Sequence, residues 1–529
     1  MSDHMSLSGE RRRRPMLGAL LATGALLLSA CGTAATSSGS GEINRDATLR
    51  LTYTGVQSLD PAKTPGSTAM LSNTWPAYDR LIQISEDGQY LPMLATKWTF
   101  SPDGKTLRLD LRKDVTFSDG TPFTAETVKA NIARYQVEPV SKGATAIIAG
   151  VEVVDEHTVN LRLAAPSRAV LGALTAAAPG IMISEKALTS PDLGTKPVGS
   201  GAWVVDSFRP GEQVTYKRRT DKGGIWDSKT GKVARVEIAV RSTPSAYAAI
   251  RSGQVDVVLS NGDVNELKSG IDGGTLKVRP LKNASTTAAL YLNQTMKPFD
   301  DVRVRQAVNY AINRKPLVEA LVPTTTARVQ PMASMVNGFE ETLEQTYSYD
   351  PAKAKQLLAE AGYAKGVKAG TFYVANYEPF PEAAQIVQAD LAEVGITIDL
   401  ELYDIRQLSS GTYAEAKRPG AFMFMSYPGL EPGVALKWFL DNPLTMPGGV
   451  PERIVKQIAT IDDSTATDEE RASRARPVVK WAVDNALYAP MWQGVPGWVM
   501  TDKVHGVEAG KAFLAPLGGQ DFRYAWMSK

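Results

Sequence analysis

Cysteine is almost missing from this 529-residue chain: Cys31 is the only one, and histidine is scarce, with three residues in all. A single thiol leaves nothing for an intramolecular disulfide and cannot build a thiolate zinc site. Because His4 lies in the extreme N-terminus, a Ser-His-Asp triad or an imidazole metal centre would have to use His157 or His505. His157 falls in Asp155-Glu156-His157-Thr158, between two alternating runs, and reads as a solvated turn residue; His505 reads as a surface or strand-end residue. The nucleophile, metalloprotease and phosphate-loop motifs G-x-S-x-G, S-x-x-K, H-E-x-x-H and the glycine-rich P-loop are absent. Catalysis, a bound metal and a cofactor are therefore not expected.

An excess of charge of one sign is lacking too. Lys and Arg number 58 against 56 Asp and Glu, so no basic surplus points to a nucleic-acid partner. Long apolar runs are also missing: the nearest approach, 169–183, is interrupted by Pro179-Gly180.

What is present begins at the N-terminus. Arg11 to Arg14 precede a short apolar stretch, Met16 to Leu27, and then Leu28-Ser29-Ala30-Cys31. A basic flank before an apolar run of roughly 13 residues is the pattern of an export signal, and it falls short of the ~20 residues a membrane span needs. Residues 1–30 are thus expected to be a signal peptide. Removing them takes out Arg11–Arg14 against Asp3 and Glu10, which is the whole net charge of +2, so the remainder is formally neutral. Arg13-Arg14-Pro15-Met16-Leu17 also fits a loose twin-arginine pattern, and the choice between export routes stays open. The run from Gly32 to Gly41 is Gly, Ser, Thr and Ala, too poor in apolar surface to order itself, so 31–46 reads as a flexible tether.

Beyond the tether, Thr48 to Tyr53 alternates as a strand, and Lys97–Phe100 with Thr106–Arg112 forms a hairpin across Ser101-Pro102-Asp103-Gly104. Thr124 is placed to cap a helix from Ala125 to Tyr135. Later the pattern changes. Asp350-Pro351 opens a helix that Gly362 ends, Thr371–Val374 reads as a strand, a helix follows Pro381, Gly395 closes it, and Ile396–Leu402 alternates. Strand, helix, strand at that spacing predicts a parallel βαβ unit. The coarse expectation is α/β, with a part rich in antiparallel pairs before a part of alternating helices and strands.

The segments Leu91-Pro92-Met93-Leu94-Ala95-Thr96-Lys97-Trp98, Ser101 to Thr106, and Leu111 through Ala125 together resemble the signature region of the peptide- and nickel-binding class of bacterial extracellular solute-binding proteins. Pro197-Val198-Gly199-Ser200-Gly201, Leu292-Asn293 with Pro298 to Ala307, and Tyr349 to Ala354 resemble further motifs of that class at its usual intervals. In these motifs the glycines are expected to serve turns, Asp301 to cap a helix, and Arg303 and Arg305 to pair with carboxylates or the backbone. The resemblance implies a two-lobed type II periplasmic-binding-protein-like fold with an extra subdomain in the first lobe. Its expected limits are 47–285 for lobe I, with an insert at about 90–197, 286–488 for lobe II, and 489–529 returning to lobe I.

It also implies a lipobox, with Cys31 lipidated and the protein anchored to the outer face of the cytoplasmic membrane. The implied role is capture of an oligopeptide or peptide-like solute between the lobes, as a monomer, for delivery to the permease of an ABC importer. A glycoside, an opine or a metal chelate remains the alternative cargo; an exported hydrolase or a surface chaperone or adhesin is the alternative of another class. Peptide-binding relatives carry an amine-pairing aspartate four positions before a proline; counting back from Pro432, that position holds Pro428, which carries no charge and no N–H. The expected ligand contacts are Tyr427, Gly429, Leu430 and Glu431 in this loop, the aromatic Trp438, Trp492 and Trp498, and Met70 and Trp75 from the first lobe.

Overall fold

Apolar residues at every second position build the first hairpin. Leu107, Leu109 and Leu111 point inward along the strand Thr106–Leu111, which pairs antiparallel with Ala95–Phe100. Gly104 turns between them at φ +69°, a left-handed conformation that side chains resist. The helix Ala125–Val137 starts where expected: Thr124 accepts from the Thr127 amide, and Thr127 returns the bond to the Thr124 amide. Asp350 likewise caps Pro351–Glu360. Asp301 caps Val302–Ala311, where Arg303 pairs with Asp301 and Arg305 donates to the Phe299 and Asn485 carbonyls. The computed structural model describes residues 41–529 apart from 54, 65–72, 86–87, 140, 177, 261–263, 282–285, 324, 377, 404–417, 427–429, 442–445 and 508–520. The export segment with Cys31, Met70, and Tyr427, Pro428 and Gly429 lie outside the described residues.

The larger sheet has seven strands in the order Leu276–Leu281, Val495–Thr501, Val257–Ser260, Thr48–Thr52, Arg235–Ala239, Gln213–Arg218 and Trp203–Arg209. Its central strand 48–52 runs parallel to both neighbours, while the flanking pairs are antiparallel. The second sheet has six strands, ordered Thr326–Ala327, Tyr488–Gln493, Thr286–Leu292, Gly420–Ser426, Val367–Ala375 and Ile396–Tyr403. The expected βαβ unit lies at its edge: 367–375 and 396–403 are parallel, joined through the helix Phe380–Glu393, and Gly395 closes that helix at φ +95°. The strand is longer than the sequence reading of Thr371–Val374, because pairing with its neighbours extends it backward past Gly370. A four-stranded antiparallel sheet contains the hairpin above together with Ile148–Asp155 and Thr158–Leu163. His157 sits in the turn of that second pair, and His505 ends a short strand, stacked on Trp526.

Each sheet has its own apolar core. Burying each Leu, Val or Phe side chain contributes about 1.5–3 kcal/mol, so each core suffices to hold its sheet against its helices. The chain crosses between the two large sheets twice, once after Leu281 and once at Gly494. Gly494, at φ +105°, is the single residue between a strand of the second sheet and a strand of the first. Pairing with Thr286–Leu292 places Tyr488–Gln493 in the second sheet. The seven-stranded sheet, the inserted four-stranded sheet and the short hairpin pairing Ile82–Ile84 with Tyr90–Pro92 make up the first half, and the six-stranded sheet with its helices the second.

Candidate functional site

Ligands of open α/β sheets bind outside the carboxyl ends of the strands, where helix N-termini and loops converge. Three such ends meet here. The strand Arg235–Ala239 leads into the helix Thr243–Arg251, Val257–Ser260 leads toward Glu266, and Val367–Ala375 leads into Phe380–Glu393. Between them lies a cavity of about 250 Å³, bounded by Thr243, Tyr247 and Glu266 from the first half and by Leu321, Glu378 and Glu382 from the second. Its size approaches the lower end of the ~300–1,000 Å³ usual for small-molecule pockets. Glu266 pairs with Arg251 at 3.3 Å, whereas Glu378 and Glu382 make no ion pair among the described residues. The rim therefore presents negative charge to whatever enters, disfavouring anions and suiting neutral or cationic groups. No group of three or more His, Cys, Asp or Glu side chains is arranged to hold a metal ion among the described residues.

The aromatic candidates separate. Trp75 and Trp498 join one row in the first half: Tyr53 stacks on Trp498 with centroids 6.0 Å apart, Trp498 meets Phe522 edge-on at 5.1 Å, and Trp75 meets Trp203 edge-on at 5.5 Å. Trp498 is 1% exposed, and its indole N–H has no hydrogen-bond partner among the described residues. Tyr53, half-buried just after the central strand, covers it. Trp492 is fully buried in the second half against Phe380, the first residue of the helix that carries Glu382 to the cavity. Trp438 is 44% exposed on the helix Pro432–Leu440.

Leu430 and Glu431 sit elsewhere again, both buried. Glu431 Oε1 accepts a hydrogen bond from the Tyr90 hydroxyl at 3.1 Å and lies 3.5 Å from Arg168 Nε, and its Oε2 lies 3.6 Å from Arg471 Nε. Both carboxylate oxygens thus face protein donors. Burial and Glu431 push the Tyr90 hydroxyl well up, so it stays a donor. Close by, the Asp462 carboxylate accepts the Gly433 and Val434 amides at 2.7 Å each, capping the helix 432–440. Burial and the neighbouring Glu431 push Asp462 up to about 7, against those two amides and Arg471. Folded-state affinity for that proton makes the carboxylate a source of stability at low pH that is lost as pH rises toward 7.

The cavity acids were not singled out in the sequence, because a glutamate in a polar loop has no local signature. The signal available was position: Glu266 and Glu378 each follow the carboxyl end of a strand. Arg168 and Arg471 carried no signal at all, since their partner lies far away in the chain.

Residues 89–434 match the family described as bacterial extracellular solute-binding proteins, family 5 Middle. Among curated relatives, the chain is 28% identical over 424 residues to heme-binding protein A of Haemophilus influenzae, covering 73% of this chain and 76% of the relative. It is 29% identical over 359 residues to the glutathione-binding protein GsiB of Salmonella choleraesuis, covering 66% and 68%. Among solved structures, the ABC transporter-associated periplasmic binding protein DppA from Helicobacter pylori, in complex with the peptide STSA, superposes with a TM-score of 0.75 at 22% identity, covering 92% of this chain and 98% of that one. The α/β fold is thus that of family-5 periplasmic binding proteins. With most of its length matched, this chain belongs to the family 5 bacterial extracellular solute-binding proteins, the non-enzymatic substrate-binding components of ABC importers of the peptide and nickel class.

Proposed function

We propose that the solute is an oligopeptide or a peptide-like compound, enclosed between the two halves and handed to the membrane permease. The observation that carries this is the cavity built jointly by the two halves at the carboxyl ends of their strands. A solute touching both halves binds the closed arrangement better than the open one, so occupancy biases the equilibrium that the importer reads. A reading in two lobes is supported by the way the two large sheets draw their strands from separate stretches of chain, with the return crossing at Gly494, a few residues beyond the expected limit of 488. Carboxylates on the cavity suit a ligand ammonium. Relatives bearing the names of haem-, glutathione- and peptide-binding proteins support both the peptide reading and a metal chelate as the alternative cargo.

Thermal shift with free di- and tripeptides, glutathione, haem, opines and sugars tests the cargo. A peptide at about one hundred times its dissociation constant is expected to add about 2.7 kcal/mol and raise the melting temperature by several degrees. Stabilisation by haem or a sugar alone, with peptides inert, would overturn the peptide reading.

Cys31 is proposed as the lipidated N-terminus of the processed chain, held at the outer face of the cytoplasmic membrane by the tether 31–46. No helix among the described residues is long and apolar enough to cross a membrane. Cys31→Ser is expected to move the protein from the membrane fraction to the soluble one and to abolish labelling by radioactive palmitate. Unchanged membrane retention in the variant would refute the anchor.

A further inference from the structure

Beside the hairpin that pairs Ile82–Ile84 with Tyr90–Pro92, several residues of the first half meet residues of the second. Leu430, a second-half residue, is counted within the apolar core of the first half. A Cβ added to Gly88 would stand 3.1 Å from Leu430 Cδ1 and 3.6 Å from Met335 Cε, so the bare backbone at Gly88 forms the seat into which these two side chains fit. Next in sequence, Glu431 receives Tyr90 and Arg168 from the first half and Arg471 from its own. The Arg168 amide donates to the Asp462 carbonyl at 2.8 Å, and the Ser464 hydroxyl donates to the Gly104 carbonyl at 2.9 Å. Gly104 is the hairpin glycine, and a Cβ there would lie 2.3 Å from Ser464 Oγ, so the close approach of the two halves itself depends on its being glycine.

The electrostatics favour fastening over ligand capture. Glu431 is 5% exposed, and the Arg471 side chain 1%. The Glu431 carboxylate takes a hydrogen bond from the Tyr90 phenol and lies between the Arg168 and Arg471 guanidiniums, so its charge is already balanced within the protein, and removing it takes a shared partner from both arginines. The pairing joins sequence stretches 341 residues apart, between Tyr90 and Glu431. An apolar plug, a shared carboxylate and two bonds to backbone carbonyls thus act on one patch, in register with one another.

We propose that Leu430 and Glu431 form a clasp that, without any solute, fastens the second half to the first at the hairpin pairing Ile82–Ile84 with Tyr90–Pro92 and at Arg168. The proposal rests on the reading of two halves that open and close. In that reading the clasp sets the resting equilibrium between open and closed forms, and solute affinity and release inherit its strength, because a binder whose competent state is populated in advance gains apparent affinity by that fraction.

The Arg168 amide is a direct reporter, since its bond to Asp462 crosses the patch. Residue-resolved hydrogen–deuterium exchange of the full chain, with no solute added, is expected to show Arg168 protected. In Glu431→Ala its exchange should quicken about a hundredfold, and in Tyr90→Phe about tenfold, the size of effect that a lost buried ion pair and a lost hydrogen bond to a charged acceptor carry. The strands 106–111 and 286–292 should keep their protection, which separates release of the clasp from unfolding. Wild-type exchange at Arg168 in both variants would overturn the clasp; if Glu431→Ala does not fold, Tyr90→Phe decides alone. The readout needs no cargo, so a failure of the peptide assignment leaves this result standing, and the reverse.

Discussion

Replacing Arg523 with alanine is expected to lower the unfolding free energy by about 3–5 kcal/mol, the cost of breaking a buried ion pair and leaving its partners uncompensated. Arg523 donates to Asp521 at 2.6 Å and to Asp79, and reaches the Tyr78 carbonyl at 3.3 Å, all within the first half. Asp79 also takes the Ser200 hydroxyl at 2.8 Å and the Trp226 indole at 2.7 Å, while Arg80 holds Asp521 at 3.0 Å. Every member but Trp226 is nearly inaccessible. Burial alone lowers the proton affinity of Arg523, but Asp521 and Asp79 outweigh it and hold the charge firmly. Arg80 fares differently: burial brings it down to about 10, because Arg523 competes for the same carboxylates. Without Arg523, two buried carboxylates would share one weakened cation. Urea denaturation followed by tryptophan fluorescence measures this, and an unshifted midpoint would show the network to be dispensable. Arg523→Lys should recover part of the loss, since a point charge reaches only one of the two carboxylates well.

Gly199→Ala should be nearly as damaging, at about 3 kcal/mol, because the added methyl has no direction in which to yield. A Cβ at position 199 would lie 2.0 Å from the Ala77 carbonyl oxygen, and one at Gly201 would lie 2.4 Å from that of Pro76. The two glycines let this stretch lie directly against 76–77, with the Gly201 amide donating to Ala77 and the Trp203 amide to Pro76 at 2.9 and 3.0 Å. Gly120→Ala provides the control. It has a positive φ of 82° but open space around it, so only the backbone penalty of about 1 kcal/mol applies. Equal denaturation midpoints for the two variants would mean that backbone conformation, and not close approach, is what Gly199 supplies.

These glycines also show how far the sequence could be read. Pro197 to Gly201 reads as a turn motif, yet what demands glycine is a second turn, at 76–77, more than a hundred positions earlier, which no local pattern announces. The hairpin at Gly104, the caps at Thr124, Asp301 and Asp350, and the βαβ unit closing at Gly395 were legible because each is settled by neighbours within a few residues. Glu431 was legible only as an isolated acid near a proline. Its meaning depends on Tyr90, Arg168 and Arg471, which alternation and capping rules cannot bring together. Trp492, Trp498 and Trp438 looked alike in sequence, and packing separated them into two buried rings and one exposed one. The Arg523 network was invisible for the same reason, its ion pair to Asp79 spanning 444 residues.

The strand Val495–Thr501 fills the place between Val257–Ser260 and Leu276–Leu281. Until it arrives, those two strands of the seven-stranded sheet have no ladder joining them, and their apolar faces await a partner made more than two hundred residues later. The six-stranded sheet draws all its strands from the stretch between Thr286 and Gln493, and can assemble as soon as that stretch exists. A chain emerging from its N-terminus therefore completes its middle before its beginning, and the part synthesised first stays unfinished, and exposed to misassociation, until Val495–Thr501 appears.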